Sequence, residues 1–326
     1  MSAPQSITII EDVLSRQGYE FKALELAGKW FMQIAQGGQP LLIMGYAYPL
    51  YPFATSSARL IAKHKDIAYE FVRSNGVAVP ETVVVKDADL RAATELLQKS
   101  RSVIVKPQGG LGSKGLSLDV TGIDELQQAV ATARQYDADV LVQRQFYGEE
   151  VRFTVIKGKV RAALLRQKPH VKGDGVSTLA QLIQKENEAR RNISSTLVPY
   201  PQLDAALVDL KVLESDEVVP GGEIRELNKN TMIRGGASVY DIMDEIDPGY
   251  IALAEKACQG MGSGLVVADI MIADYTVPPA SDNYVFIEFN LAPALSLFYS
   301  CRDGKHVEVV EKYLAPMLIE VMEGRS

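Results

Sequence analysis

The chain has 326 residues, 47% of them hydrophobic and 23% charged, with 41 Asp and Glu against 34 Lys and Arg for a formal net charge of −7. This length predicts roughly two domains with real cores, and the acidic balance argues against a general nucleic-acid binder while leaving room for local basic pockets. The cysteines, Cys258 and Cys301, have no CxxC spacing and the three histidines are scattered, which excludes a disulfide framework or a zinc site and fits a reducing cytoplasm.

In chain order, the N-terminus lacks a basic segment followed by an apolar run, so no secretory signal is expected. "SITIIEDVLSRQG", "YEFKALEL" and "QPLLIMGY" read as alternating helix and strand, a small α/β lobe over residues 1–60. Pro40 to Ala54 is apolar but too short and proline-broken to span a bilayer, and reads as a strand followed by a loop. Ser56 and Ser57 are N-cap candidates for a helix through Ile61, Ala68, Phe71 and Val72, stopped by Gly76. "VAVPETVVV", with Pro80 at its start, is a strand, "DADLRAATELLQKS" an amphipathic helix and "RSVIVKP" a second strand. After a glycine-rich loop come a strand, "LSLDV", a helix, "GIDELQQAVATARQY", and a buried strand, "DVLVQRQF", running into Gly148. "VRFTVIKGKVRAALLR" predicts a hairpin around Gly158, and "GDGVSTLAQLIQKENEARR" a turn and helix. Residues 193–222 are poorly periodic and read as an insertion. "PGYIALAEKACQGMG" is a helix, "GLVVADIMIAD" and "NYVFIEFN" are strands, and "EVVEKYLAPMLIEVM" is the closing helix.

The loop contains Gly110-x-Gly112-x-x-Gly115, the spacing of a dinucleotide fingerprint. A Rossmann loop needs a helix directly after it, whereas "LSLDV" alternates like a strand, and no Gly-Lys-Ser/Thr closes a Walker loop. What remains is a strand–loop–strand hairpin, which suits either a flap over nucleotide phosphates or a plain surface turn. The flanking residues favour the flap. Lys106 ends an apolar strand just before it, and Lys65 lies upstream. Glu288 and Asn290, two apart on a strand, share a face, with Phe289 turned to the core and Phe286 joining it if the strand twists locally. A carboxylate and an amide oxygen side by side suit Mg²⁺, and Asp269 on another apolar strand supplies a third oxygen donor.

In this order, "AKHKDIAYEFVRSNGVAVP", "VIVKPQGGLGSKG", "VLVQRQFYGEEVRF", "VVADIMI" and "FIEFNLAPAL" resemble an ATP-grasp carboxylate–amine ligase. The resemblance covers about Ser6 to Leu314. "FATSSARLIAKHKD", "PHVKGDGVSTLAQLIQKEN" and "GGASVYDIMDEIDP" narrow it to the ATP-grasp modules of cyanophycin synthetase and the bifunctional glutathione synthases, with D-alanine–D-alanine ligase more distant. The resemblance implies an α/β (α+β) ATP-grasp architecture: an N-terminal lobe over 1–60, a central lid subdomain with the glycine flap over 61–147, and a C-terminal subdomain with the Mg²⁺ site over 148–326.

It also implies roles. Lys65 and Lys106 match the lysines on ATP phosphates, and Gly110, Gly112, Ser113, Lys114 and Gly115 match the flap. Gln143, Gln145 and Phe146 lie in the hinge that holds adenine, and Glu150 matches the acid on the ribose. Asp269, Glu288 and Asn290 match the Mg²⁺ ligands, a site that Mn²⁺ could share. Arg166, Arg225 and Arg234 are cationic candidates for phosphate or acyl-phosphate contact, the last two beside Lys106 in the catalytic set. Gln143 stands where the family usually has Glu, and Pro293-Ala294 where it has Pro-Gly near the acceptor. The implied reaction joins an amino-acid or peptide carboxylate to an amine through an acyl phosphate, releasing ADP and phosphate, in the cytoplasm. A homodimer is compatible with it; nucleic-acid or membrane partners are not expected. An ATP-binding regulatory protein without turnover is the alternative.

Overall fold

The computed structural model describes residues 5–35, 41–44, 53–109, 114–193, 198–203, 217–228, 231, 233–302 and 307–322, with 41–44, 234 and 322 followed through their backbone. Helix α1 (Gln5–Arg16) buries Ile7, Ile10 and Leu14 on one face, the helical spacing of an amphipathic element. A tight hairpin follows, β1 (Glu20–Leu26) and β2 (Lys29–Ala35), turning through Ala27 and Gly28 at φ of 49° and 74°. Positive φ at both central residues matches the twist of the flanking strands. Strand β2 was not read from the sequence, and β3 (Leu41–Met44) completes this sheet.

The single helix expected after Ser56 is two helices. α2 (Ser56–Lys63) ends at His64, whose extended backbone breaks the rod, and α3 (Lys65–Ser74) starts immediately after. The cap is Thr55 rather than Ser56 or Ser57: its Oγ1 accepts the Ala58 N–H at 3.1 Å. The break places Lys65 in the first turn of a new helix. Gly76 ends α3 at φ 68°, as its position predicts.

Two antiparallel sheets dominate the rest. The first has the order β4 (Thr82–Val85), β7 (Val140–Arg144), β5 (Val103–Pro107), β6 (Ser117–Val120). Helices α4 (Arg91–Lys99) and α5 (Ile123–Ala133) cover one of its faces, meeting Val103, Val105, Val140 and Val142 in a closed core. Strand alternation then turns Lys106, Leu141 and Gln143 to the other face.

The second sheet has the order β12 (Ser238–Asp241), β9 (Lys159–Gln167), β8 (Glu149–Ile156), β13 (Leu265–Ile272), β14 (Tyr284–Asn290). Between β9 and β12 lie β10 (His170–Lys172), α6 (Leu179–Asn192) and β11 (Ile224–Glu226). β10 pairs with β11 in a small separate sheet, the two strands flanking the 193–222 stretch that the sequence left irregular. α3 and α7 (Pro248–Cys258) pack on one face of the large sheet against Val151, Phe153, Ala268, Ile270 and Phe286. α1, the 295–299 turn and the closing segment, a π-helical turn over 310–314 running into α8 (Ala315–Met322), cover part of the other face. The rest of that face carries charge.

Strand β14 is bulged. Asp269 faces Glu288 while Ile270 faces Phe286, so Ile287 is the extra residue opposite no partner on β13. This explains how Phe286 and Phe289, three apart, both reach the core with ring centroids 4.5 Å apart. An unbulged strand would send one of them to solvent. The same step brings Glu288 onto the face that Asp269 occupies.

Candidate active site

The cleft between the two large sheets gathers one lysine from each side around a carboxylate. Lys65, 8% exposed in the first turn of α3, places its ammonium 3.2 Å from Glu288 Oε2. Lys106, half-buried on β5, donates to the Tyr69 hydroxyl at 3.2 Å and lies 5.9 Å from the centre of that ring. Burial lowers the Lys106 ammonium to a pKa of about 8, with the Glu288 charge opposing the shift. The Glu288 side chain remains about 37% exposed, the open end of the cluster.

Behind Glu288 lies a buried ion pair that sequence reasoning missed. Arg152 on β8 donates from Nε to Asp269 Oδ1 at 2.8 Å and from Nη2 to Oδ2 at 2.5 Å. Register makes this contact, since Asp269 faces Arg152 on one side and Glu288 on the other. The row across three strands is therefore cation, carboxylate, carboxylate. The available signal was an arginine inside the apolar alternation "VRFTV". Tyr69, also missed, stands four residues after Lys65 on one helix face, a spacing that brings the two together.

The other expected residues divide. Glu150 and Arg166, assigned to ribose and phosphate, pair with each other across β8 and β9 at 2.5 Å, and Thr231 closes on both. Burial raises the Glu150 carboxyl against the pull of Arg166. Gln143 is buried at 2% on the sheet face that carries Lys106, its amide nitrogen on Thr82 Oγ1 at 2.8 Å. Gln145 grips Asp119, accepting its backbone N–H and donating to its carboxylate, both at 2.7 Å. Phe146 follows beyond the end of β7, in the stretch joining the two sheets. Arg225 sits on β11, paired with Glu223 at 2.6 Å, on the small separate sheet. Arg234 lies in a short 3-10 turn over 233–235, with only its backbone described.

Of the glycine loop, Gly110, Gly112 and Ser113 lie outside the described residues. Its two roots are well defined. Gly109 donates to Asp137 at 2.8 Å, and Gln108 donates to Asp66, beside Lys65, at 2.6 Å. Lys114 is exposed. Gly115 holds φ of 72°, and a Cβ there would meet the Tyr136 ring at 2.7 Å, so both conformation and space require glycine.

The donor set fits Mg²⁺. Asp269, Glu288 and Asn290 offer hard oxygens from one face of adjoining strands, the chemistry that magnesium prefers. Asn290 Oδ1 already accepts the Ala292 N–H at 2.8 Å, and both Asp269 oxygens meet Arg152, yet each oxygen keeps a second lone pair. Among the described residues no group of three His, Cys, Asp or Glu side chains forms a metal cage. A metal here would complete its shell with phosphate and water.

Two antiparallel sheets closing on a cleft, with Lys106 from one sheet, Lys65 from the helix packed on the other and carboxylates from the larger sheet, make up the ATP-grasp architecture. Residues 71–189 match the family model for the D-Ala D-Ala ligase C-terminus. The chain is 28% identical over 273 residues to the glutathione biosynthesis bifunctional protein GshAB of Streptococcus mutans, covering 80% of this chain and 36% of that protein. It is 27% identical over 250 residues to cyanophycin synthetase of Trichormus variabilis, covering 75% of this chain and 28% of that one. The chain thus spans about a third of the length of these relatives. Among solved structures, a bifunctional glutathione synthetase from Pasteurella multocida superposes with a TM-score of 0.67 at 20% identity, covering 98% of this chain and 44% of that one. D-alanine–D-alanine ligase from Bacillus anthracis does so at 0.52 and 15%, covering 83% and 69%. The chain has the ATP-grasp fold.

Proposed function

We propose that the chain is an ATP-dependent ligase that joins an amino-acid or peptide carboxylate to an amine. The observation that carries this reading is the cleft cluster, with Lys65 and Lys106 on opposite walls and Glu288 between them, backed by Asp269 and Arg152. In the reaction, the donor carboxylate attacks the γ-phosphorus of ATP and the bond to ADP breaks. The amine then attacks the acyl carbon, phosphate leaves, and the amine gives up a proton. Asp269, Glu288 and Asn290 would hold Mg²⁺, whose chemistry here would be to offset phosphate charge. Lys106 and Lys65 supply cations along the same phosphates, and Lys114 stands at the rim of the flap. Phe146 and its neighbours offer backbone to the purine edge, the paired Glu150 and Arg166 lie toward the ribose end, and Arg225 and Arg234 remain the candidates for the acyl phosphate. No nucleophilic side chain is needed, because positioning and charge neutralisation do the work.

The division into 1–60, 61–147 and 148–326 is our proposal for the parts that grip ATP, its first boundary falling within α2. The reading goes with an intracellular setting, where ATP is available; among the described residues no helix is long and apolar enough to cross a membrane. The test is phosphate release with Mg-ATP over a panel of amino-acid and dipeptide pairs. Release that depends on both partners supports the ligase. Mg-ATP binding without release across the panel would support a nucleotide-binding regulator instead.

A further inference from the structure

Tyr69 is buried at 3% on α3, and its hydroxyl links β14 of one large sheet to β5 of the other. It donates to the carbonyl of Ile287 at 3.0 Å and accepts from Lys106 Nζ at 3.2 Å. Ile287 is the extra residue of the β14 bulge, so its carbonyl lies outside the ladder to β13. The bulge that turns Glu288 into the site thus also creates the acceptor that Tyr69 satisfies. A phenol has a single proton. With that proton committed to Ile287, the oxygen can only accept on its other side, and an ammonium is the partner that suits it. The ring cannot swing away. Phe286 meets it edge-on at 6.3 Å, and the Gln143 amide faces the hydroxyl from the neighbouring sheet.

Lysine carries its charge on a flexible four-carbon stem. Without a fixed acceptor the Lys106 ammonium would sample much of the cleft. We propose that Tyr69 is a positioning residue, which fixes the Lys106 ammonium relative to the Glu288 strand and so sets the geometry in which the nucleotide phosphates are held. A structural role alone would need only the bond to Ile287. The lone pair aimed at the ammonium is what links this tyrosine to the ligand. The inference rests on the nucleotide-binding reading above.

The test is a thermodynamic cycle with Tyr69→Phe, which keeps the ring and the Phe286 contact. Affinities for Mg-ATP and for adenosine are measured calorimetrically in wild type, Y69F, K106A and the double variant, with melting temperatures alongside. Y69F should weaken Mg-ATP binding by about tenfold, the scale of one hydrogen bond to a charged group, and leave adenosine affinity unchanged. In the K106A background the same change should cost almost nothing further. An Mg-ATP affinity unaltered by Y69F, an equal loss for adenosine, or a full additional loss in K106A would each overturn the proposal. Wild-type protein that binds no Mg-ATP would overturn the functional reading and this inference with it, whereas wild-type binding that Y69F leaves untouched overturns this inference alone.

Discussion

Replacing Arg152 by Met should be among the most damaging single changes in the cleft, and the structure gives its size. The Asp269 side chain is 2% exposed and is held by Arg152 through bonds of 2.8 and 2.5 Å. Two unit charges about 4 Å apart attract by ~4 kcal/mol at an effective dielectric near 20. Removing one partner of a buried pair costs about 3–5 kcal/mol, because the other charge is left in a dry site. Urea unfolding followed by fluorescence or circular dichroism reads this directly. With an m-value of about 3 kcal/mol per molar, the midpoint should fall by roughly 1–1.7 M. Arg152→Met combined with Asp269→Leu should regain most of that loss, since an apolar pair of similar volume replaces a buried ion pair at little cost. The double variant should nevertheless release no phosphate. A single variant as stable as wild type, or a double variant no better than the single, would refute the claim that Asp269 depends on Arg152.

Three further outcomes follow from the same contacts. Glu288→Gln should cut phosphate release ~100-fold or more while costing at most about 1 kcal/mol of stability, since its pair with Lys65 is partly exposed; normal turnover would remove Glu288 from the site. Lys106→Ala should weaken Mg-ATP binding, and in wild type that affinity should fall as the pH rises through about 8, where the buried ammonium loses its proton. Stability runs the other way: this lysine's folded pKa lies below its ordinary value near 10.5, so its burial penalty is full below pH 8 and is relieved as the pH climbs toward 10.5, a slope that should vanish in K106A. Asn187→Ala should cost about 1–2 kcal/mol in urea melts, because its amide accepts the Leu203 N–H at 2.7 Å and donates to the Leu203 carbonyl at 3.1 Å; an unchanged midpoint would show that 198–203 does not lean on α6.

Much of this was legible in sequence because alternation and helical spacing report directly on which face is buried. Strands β5, β7, β8, β13 and β14 and the closing helix followed from such patterns, as did the lysine before the glycine loop and the carboxylates later in the chain. What stayed hidden depends on pairing across long separations. Arg152 reads as an interruption in a strand until register sets it opposite Asp269, 117 residues away. Glu150 and Arg166 carry separate ligand roles in the sequence reading and are partners in the fold, a consequence of hairpin register that composition does not encode. The helix break at His64 was invisible because no proline or glycine marks it. Phe286 and Phe289 sharing the core was attributed to twist, whereas an added residue is the cause.

That added residue makes the strand a counting device. Upstream of Ile287, β14 addresses aromatic side chains to the interior in one phase; downstream it addresses oxygen donors to the cleft in the opposite phase. The orientation of the Glu288–Asn290 end therefore depends on how many residues lie between Phe286 and Glu288, not on which residue stands between them. Exchanging Ile287 for another apolar side chain preserves the message, while deleting it would turn Glu288 and Asn290 inward and Phe289 out, with every chemical group still present.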